Sequence, residues 1–233
     1  VDPATGIYTA LAGMRWSQII DALDPLGWSP KVMQSNHDFG IAATFSVNAH
    51  GWPVPQGPMG STVRSVKMLL ADGTLVICSR TENADLFAHA MGGYGLTGLI
   101  VEMEVEAAPN QRLEPTFAEL LADDFPAAFA SAVNDPAATM AYGRLNVDRA
   151  RFFQDALLIA YRTAADQTDL PPASGSGFVA KAASYMYRAQ LGNERMKRFR
   201  WGVETTVGPK VAGGGVTRNS LINEPVITLD DRD

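Results

Sequence analysis

The sequence predicts an α+β protein in two parts, and two observations carry this prediction. Segments with apolar side chains at alternate positions, typical of strands, are interleaved with segments whose apolar residues recur at helical spacing. The chain has 233 residues, of which 46% are apolar and 19% charged, so it can bury a substantial core. The pattern changes after Leu113, and we expect one α+β unit before that point and a second one after it.

The first unit begins with a predicted strand and a predicted helix. Residues 6–13 are apolar and β-prone, and residues 16–26 place Trp16, Ile19, Ile20, Leu23 and Leu26 on one helical face. Gly27 and Pro30 end the helix, and a loop is predicted as far as Phe39.

A hairpin is predicted over residues 63–81. Its turn is Asp72-Gly73, a dipeptide favoured where both central residues need φ > 0. Asn83 is expected to cap a short helix that ends in a glycine cluster. Residues 99–109 alternate apolar and acidic side chains, which predicts a strand with one buried face.

The second unit is predicted from its own helix and strand patterns. Helices are expected at about 116–122 and 125–133, and strands at about 139–146 and 156–163. A long helix is expected over 177–201, followed by a glycine-rich tail.

Charge and cysteine content exclude several kinds of partner and site. A net charge of -6 argues against nucleic acid as a partner, because phosphate binding depends on basic surfaces. The single cysteine, Cys78, allows no internal disulfide and no thiol metal cluster, and we interpret it as a small core residue. Glu102, Glu104 and Glu106 are expected on the solvated face of a strand, not at a metal site. We expect a cytoplasmic protein, and we expect the chain to be a fragment of a longer one.

Three stretches together resemble one protein family. They are QSNHDFGIAATFSVNAHGW at 34–52, VRSVKMLLADGTLVICSRTENADLF at 63–87 and GGYGLTGLIVEMEVEAAPN at 92–110. In order and spacing they resemble the FAD-binding domain of vanillyl-alcohol-oxidase (PCMH-type) flavoproteins. The similarity is closest to the branch of sugar and aldonolactone oxidases, decaprenylphosphoryl-ribose oxidase and sterol reductases. The resemblance implies that residues 1–112 form the C-terminal half of that domain and residues 113–233 part of an α+β substrate (cap) domain.

The resemblance also implies a set of FAD-binding residues. Two short motifs, Gly40 to Ala43 and Asn48 to Gly51, match the family turns that hold the flavin diphosphate and ring edge through backbone N–H groups. Ala42 and Ala43 stand where the family usually has glycines, and their Cβ atoms are expected to limit left-handed φ and FAD affinity. The implied cofactor-binding residues are Ser35, Gly40, Ile41, Ala42, Ala43, Val47, Asn48, Ala49, His50, Gly51 and Ile100.

The implied activity is oxidoreductase chemistry with FAD as cofactor. The flavin takes a hydride from an alcohol carbon of a sugar, a lipid-linked sugar or a related small molecule. No catalytic residue is assigned. Two alternatives stay open: a degenerate, non-catalytic domain fragment that does not bind flavin by itself, and an unrelated α+β interaction module.

The predicted helix at 178–201 carries aromatic and basic residues together. This composition is typical of a helix that lies on an anionic membrane or binds a partner helix. Its apolar residues do not form one narrow stripe, so a helix packed on a sheet is the favoured interpretation. Peripheral membrane contact through this helix remains a hypothesis.

Overall fold

The computed structural model describes residues 1–33, 36–175, 185–211 and 215–224, and it divides them into two compact units. Unit 1 contains Val1–Gly51, Gln56–Asn110 and the described residues from Asn219 onward. Unit 2 contains Trp52–Pro55 and the described part of Gln111–Arg218. Two short segments, 52–55 and 219–224, therefore join a different unit from the residues that flank them in sequence.

Unit 1 is built on a five-stranded antiparallel sheet. The strand order is β1-β5-β3-β4, and β2 pairs with the far end of β5. Val66, Met68, Met103 and Val105 are buried, because they face the core from the central strands. The strands are β1 (Ile7–Leu11), β2 (Trp28–Pro30), β3 (Val63–Leu69), β4 (Leu75–Ser79) and β5 (Leu99–Pro109).

Three helices belong to this unit: α1 (Trp16–Leu23), α2 (Ile41–Ser46) and α3 (Ala84–Ala90). Helix α1 follows its predicted pattern, with Trp16, Ile19, Ile20 and Leu23 buried and a 3-10 turn at Asp24–Leu26. Strand β2 lies in the predicted loop. It is only three residues long and ends in proline, so it carries no strand signal of its own.

Two local predictions in unit 1 are corrected. The β3–β4 hairpin is confirmed, but Gly73 alone of the dipeptide has a left-handed φ (86°), while the Asp72 side chain accepts a hydrogen bond from Thr74 N. Helix α3 is also confirmed, but Asn83 does not cap it. Its side chain donates instead to the Ile77 carbonyl, because the residue itself has a left-handed φ of 47°.

Unit 2 contains a four-stranded antiparallel sheet in the order β7-β8-β6-β9. The strands are β6 (Arg112–Leu121), β7 (Ala138–Leu145), β8 (Asp155–Thr163) and β9 (Val216–Thr217). Central strand β8 is buried from Asp155 to Tyr161, which shows that both of its faces are covered. Helix α4 (Phe125–Asn134) packs against β7 and β8 and confirms the helix predicted at 125–133.

The helix predicted at 116–122 is wrong, because residues 116–121 belong to β6 and Ala122 begins a 3-10 turn. The strand pairs with β8 without interruption from Leu113–Thr163 to Leu121–Asp155. Tertiary pairing outweighs the helix propensity of residues such as Glu119 and Leu120. The two strands predicted at 139–146 and 156–163 are confirmed as β7 and β8.

The single long helix predicted at 177–201 is also wrong in its described part. Residues 176–184 lie outside the described residues. Residues 185–189 are helical, and a new helix, α5 (Glu194–Gly202), begins after a break. Gly192 has a left-handed φ of 69°, and the Asn193 side chain accepts hydrogen bonds from the N–H groups of Arg195 and Met196, so the chain stops and restarts there. A π-helical turn (Val203–Val207) and the short helices α6 (Gly208–Val211) and α7 (Arg218–Ile222) follow.

The predicted roles of the cysteine and the glutamates agree with their surroundings. Cys78 is fully buried, and burial followed by the charge of Glu82 raises the pKa of its thiol. Glu102 pairs with Lys67, and Glu106 pairs with Lys31 and Arg64, on the solvated face of β5. The described residues contain no cluster of three or more His, Cys, Asp or Glu suited to a metal ion. Among them, no helix combines the length and apolar character needed to cross a bilayer.

Candidate functional site

Helix α2 in unit 1 is fixed to the β1–α1 connection at its beginning. Ile41 N donates to Met14 O at 2.9 Å, and Trp16 N donates to Phe39 O at 3.0 Å. Inside the core, the indole N–H of Trp16 donates to Thr44 Oγ1 at 2.9 Å. No side chain caps the first turn of α2, because the residue that precedes it is Gly40.

The chain that leaves α2 turns sharply at Asn48, which has a left-handed φ of 47°. Asn48 Oδ1 accepts a hydrogen bond from Gly60 N at 2.9 Å, and Ala49 O accepts one from Met59 N at 2.9 Å. At the end of the segment, Gly51 packs closely against Met33. A Cβ atom at position 51 would lie 2.8 Å from the Met33 carbonyl oxygen. The residues after α2 are therefore held by two other parts of the chain.

The glycine-rich loop at 92–98 joins the same cluster. Gly92 N donates to Phe45 O at 3.2 Å, and Tyr94 N donates to Ser46 O at 2.9 Å, so the loop sits against the end of α2. The buried ring of Phe45 also packs against that of Phe87 at 5.8 Å. We call residues 40–51, 59–60 and 92–98 together the α2 cluster.

The α2 cluster contains most of the residues implied by the resemblance. Gly40 to Ala43 form the beginning of α2, and Val47 to Gly51 form the turn that follows it. Ile41 is fully buried, whereas the side chains of Val47 and His50 are exposed. Ile100 is half-buried near the start of β5, opposite Met68, and follows the glycine-rich loop directly. Ser35 lies outside the described residues.

Ala42 and Ala43 do not need the conformation that glycine provides. Both lie within helix α2, and neither has a positive φ. The expectation that their Cβ atoms forbid a required left-handed φ is therefore wrong, because the backbone here is right-handed. A ligand can still approach a glycine backbone more closely than the backbone of Ala42 or Ala43.

The glycine-rich loop has two properties that suit a bound cofactor. The Thr97 hydroxyl is buried without a hydrogen-bond partner among the described residues, although buried polar groups are normally paired. Beside it, Tyr94 is 74% exposed and Leu96 is 90% exposed. An unpaired hydroxyl, backbone N–H groups without side-chain caps and uncovered apolar side chains fit a ligand with a polar chain and a flat apolar ring.

Unit 2 contains an aromatic group that the sequence did not reveal. Segment 52–55 runs beside β7, where Ala141 N donates to Trp52 O and Val54 N to Thr139 O, both at 3.0 Å. The Trp52 ring then stacks on Tyr142 at 4.6 Å, and Tyr142 lies 6.4 Å from Tyr161. Some ninety residues separate Trp52 from its partner, so no local pattern could predict the pair.

The aromatic group ends in a charged network. The Arg144 guanidinium lies 5.8 Å from the centre of the Tyr142 ring and forms an ion pair with Glu204 at 2.7 Å. Glu204 also accepts from Arg200 at 2.8 Å, and Arg200 lies over the Tyr187 ring. Burial, followed by the neighbouring Tyr142, raises the pKa of Tyr161, so this phenol stays protonated at neutral pH.

Comparison with known proteins finds similarity over up to half of the chain. Residues 1–79 match the family described as "FAD binding domain". A putative D-arabinono-1,4-lactone oxidase of Neurospora crassa is 33% identical over 109 residues, which are 47% of this chain and 20% of that protein. Decaprenylphosphoryl-beta-D-ribose oxidase of Mycolicibacterium smegmatis is 29% identical over 114 residues, 48% of this chain and 25% of that protein. L-gulonolactone oxidase of mouse is 25% identical over 116 residues, 50% of this chain and 26% of that protein.

The matched residues 1–79 contain segments 40–51 and 59–60 of the α2 cluster together with strands β1 to β4. The chain spans about a quarter or less of the length of these relatives. The cofactor of the matched domain is FAD. Residues 1–79 thus match the FAD-binding domain, and these proteins similar to this chain are named as oxidases.

Proposed function

We propose that the chain holds FAD at the α2 cluster and contributes to an oxidoreductase that oxidises an alcohol carbon of a sugar, a sugar lactone or a lipid-linked sugar. The observation that carries the proposal is the α2 cluster itself. Segments 59–60 and 92–98 converge on helix α2 and the turn that follows it, and α2 itself lies inside the region that matches the FAD-binding domain. The names of the matched relatives support the substrate class, since they include lactone oxidases and a ribose oxidase.

The residues of the α2 cluster have distinct roles in this proposal. The N–H groups of Ala42 and Ala43, which no side chain caps, hold the diphosphate. The Thr97 hydroxyl pairs with a polar atom of the cofactor, and Ile100 contributes its main chain. His50, whose side chain is exposed, contacts the flavin ring or the substrate. Bound FAD supplies the redox chemistry by accepting a hydride, and the protein supplies position and exclusion of water.

The role of His50 is tested by reduction of protein-bound flavin. The His50→Ala variant is mixed without oxygen with a panel of sugar alcohols and lactones, and the loss of flavin absorbance is followed. We expect reduction to slow by on the order of 100-fold, the contribution typical of a positioned acid–base or hydrogen-bonding group. The free energy of unfolding should stay unchanged, because the side chain is exposed.

His89→Ala is the matched control. His89 is also exposed, on helix α3, and its Nδ1 lies 2.6 Å from the Asp85 carbonyl oxygen. Flavin reduction in this variant should equal that of the unmodified protein. Equal rates in the two variants would remove His50 from the proposal.

A second candidate function is a domain that has lost flavin binding. The observation that favours it is the exposed Cβ of Ala43, beside Ala42, where the family usually has glycine. Replacing both residues with glycine should then raise the affinity for FAD. The same change costs about 1 kcal/mol of helix stability per residue, so affinity must be measured at a temperature where the variant is fully folded. No gain in affinity would argue against the degenerate domain.

We also propose that the basic region around α5 makes a reversible contact with a membrane surface, for a protein located in the cytoplasm. Support comes from one face of α5, where Arg195, Arg198 and Phe199 are all exposed. Their spacing places them on the same side of the helix. Trp201 bonds to Glu119 of β6 and so attaches α5 to the sheet. Binding to anionic but not neutral vesicles, lost in an Arg195→Gln/Arg198→Gln variant, is the expected result.

A further inference from the structure

We propose that the tip of the β7–β8 hairpin, residues 147–153 of unit 2, is a membrane-insertion site that places Phe152 and Phe153 in the interface of an anionic bilayer. The inference rests on the proposed membrane contact of α5 and adds the element that enters the lipid.

The two phenylalanines form an exposed aromatic pair. Phe152 is 55% and Phe153 49% exposed, and their rings stack with centroids 4.0 Å apart. Adjacent exposed phenylalanines are unusual on a soluble surface and normally mark a binding surface. Further exposed apolar side chains stand on the same hairpin and on the strand end beside it, namely Leu121, Leu145 and Val147.

The tip is held in a fixed shape that presents both rings. Phe153 has a left-handed φ of 57°, which is rare for a bulky residue, and its N–H donates to Asn146 O at 2.9 Å. Beneath the rings, Asp155 is bound by the guanidinium of Arg151 and by Asn146 Nδ2. The rings therefore need little ordering when they enter an interface.

Exposed arginines lie on the tip and on the neighbouring helix α5. Arg149, whose side chain is 87% exposed, contacts α5 through Glu194, with Arg149 N donating to Glu194 Oε2 at 2.8 Å. This contact brings the tip beside the basic end of α5. The exposed charged side chains here are Arg149, Arg151, Arg195 and Arg198, whereas Asp148 and Asp155 are buried and Glu194 and Glu204 are half-buried in ion pairs.

The surface is not uniformly basic. Asp123 and Asp124 are exposed on the turn that follows Leu121, and Ala122 N of that turn donates to Gln154 O of the hairpin. The contact of the tip with α5 runs through Arg149 and Glu194 instead. Exposed arginines next to exposed phenylalanines are the combination that an anionic bilayer interface binds.

The test measures binding of the full chain to vesicles of phosphatidylcholine with and without phosphatidylserine. The variant is Phe152→Ser/Phe153→Asn, with asparagine chosen because it tolerates a left-handed φ. We expect binding to the anionic vesicles to fall by about tenfold per ring removed, the value of burying an aromatic side chain only in part. Leu75→Ser is the matched control, since Leu75 is 58% exposed on the hairpin of unit 1, and it should bind like the unmodified chain.

A second variant tests insertion directly and does not depend on the stability of the first. In Phe152→Trp, the indole fluorescence should shift to the blue on anionic vesicles and be quenched by brominated lipid tails. An unshifted indole, or full binding by the Phe152→Ser/Phe153→Asn variant, would overturn the insertion site. If that variant binds fully while Arg195→Gln/Arg198→Gln does not, the α5 contact stands and the hairpin proposal fails. Absence of anionic binding by the unmodified chain would overturn both.

Discussion

Asn48 combines two properties at the centre of the α2 cluster. Its backbone adopts a left-handed φ, and its side-chain oxygen accepts the Gly60 N–H from the neighbouring segment. Asparagine tolerates this backbone region better than other non-glycine residues, and its short side chain reaches the donor. The motif Asn48 to Gly51 therefore has a structural reason as well as the functional one that the family resemblance implies.

We predict that Asn48→Ala lowers the free energy of unfolding by about 2 kcal/mol. The left-handed φ costs an alanine roughly 1 kcal/mol, and the unpaired Gly60 N–H adds roughly 1 to 2 kcal/mol. Urea denaturation measures the loss. Asn48→Gly loses the acceptor but avoids the backbone strain, so it should fall in between, while Asn48→Asp, which keeps an acceptor, should lie close to the unmodified protein. Equal stability of the alanine and aspartate variants would contradict this account of Asn48.

Sequence reasoning at the residue scale succeeded where chemistry is local. The burial of Cys78 and the solvated face of Glu102, Glu104 and Glu106 follow from strand alternation, which depends only on the neighbouring residues. It failed where a residue distant in sequence determines the local conformation. The Asn83 backbone and the stacking of Trp52 on Tyr142 are set by tertiary packing that no short window contains.

At the scale of elements, α4 and β7 meet at a position that excludes any side chain. The ring of Phe125, at the start of α4, occupies the space that a Cβ at Gly143 of β7 would fill. A glycine is thus needed in the middle of a strand, where it otherwise weakens the sheet. The contact fixes how the helix lies on the strand.

We predict that Gly143→Ala lowers the free energy of unfolding by about 1 to 3 kcal/mol, the usual cost of overpacking a core. A smaller side chain at the helix position should relieve the clash, so Gly143→Ala/Phe125→Leu should be more stable than Gly143→Ala alone. Thermal unfolding of the unmodified protein, the two single variants and the double variant gives a complete double-mutant cycle. Strict additivity of the two changes would show that these residues do not compete for the same space.

Two elements were misassigned from the sequence. In one of them strand pairing outweighs helix propensity, and in the other a helix is interrupted. Residues 116–121 contain good helix formers but form β6, because nine successive residues pair with β8. The basic helix is broken at Gly192 and restarted by Asn193, signals that its length and composition concealed. The β3–β4 hairpin and strand β5 were predicted correctly, since each follows from periodicity over more than five residues.

At the scale of the whole molecule, each unit has a carboxylate that stabilises the fold in its charged form. In unit 2 the hydrogen bond from Arg151, followed by that from Asn146, holds the pKa of Asp155 below its usual value against burial. In unit 1 burial raises the pKa of Glu106, but the hydrogen bond and charge of Lys31 together with Arg64 outweigh it, and the net pKa is lowered. Both folded pKa values therefore lie below the unfolded ones.

We predict that the protein loses stability as pH falls below about 4. A carboxylate with a lowered folded pKa stabilises the fold fully above its unfolded pKa, and that contribution disappears as pH falls through the folded pKa. Urea unfolding measured between about pH 7 and about pH 3 gives the slope of the free energy of unfolding against pH. Asp155→Asn and Glu106→Gln should each make the curve shallower. An unchanged slope in both variants would show that other groups carry the acid sensitivity.

FAD binding at the α2 cluster is tested most directly by the visible absorption spectrum of the purified chain, recorded with and without added FAD. We predict flavin bands near ~370 and ~450 nm that remain with the protein after free cofactor is removed. The bands should weaken in Gly51→Ala, whose Cβ would displace the Met33 backbone beside the Asn48 turn, more than in the distant control Leu75→Ser. A folded chain that takes up no FAD at any concentration would contradict the assignment of the α2 cluster as the flavin site.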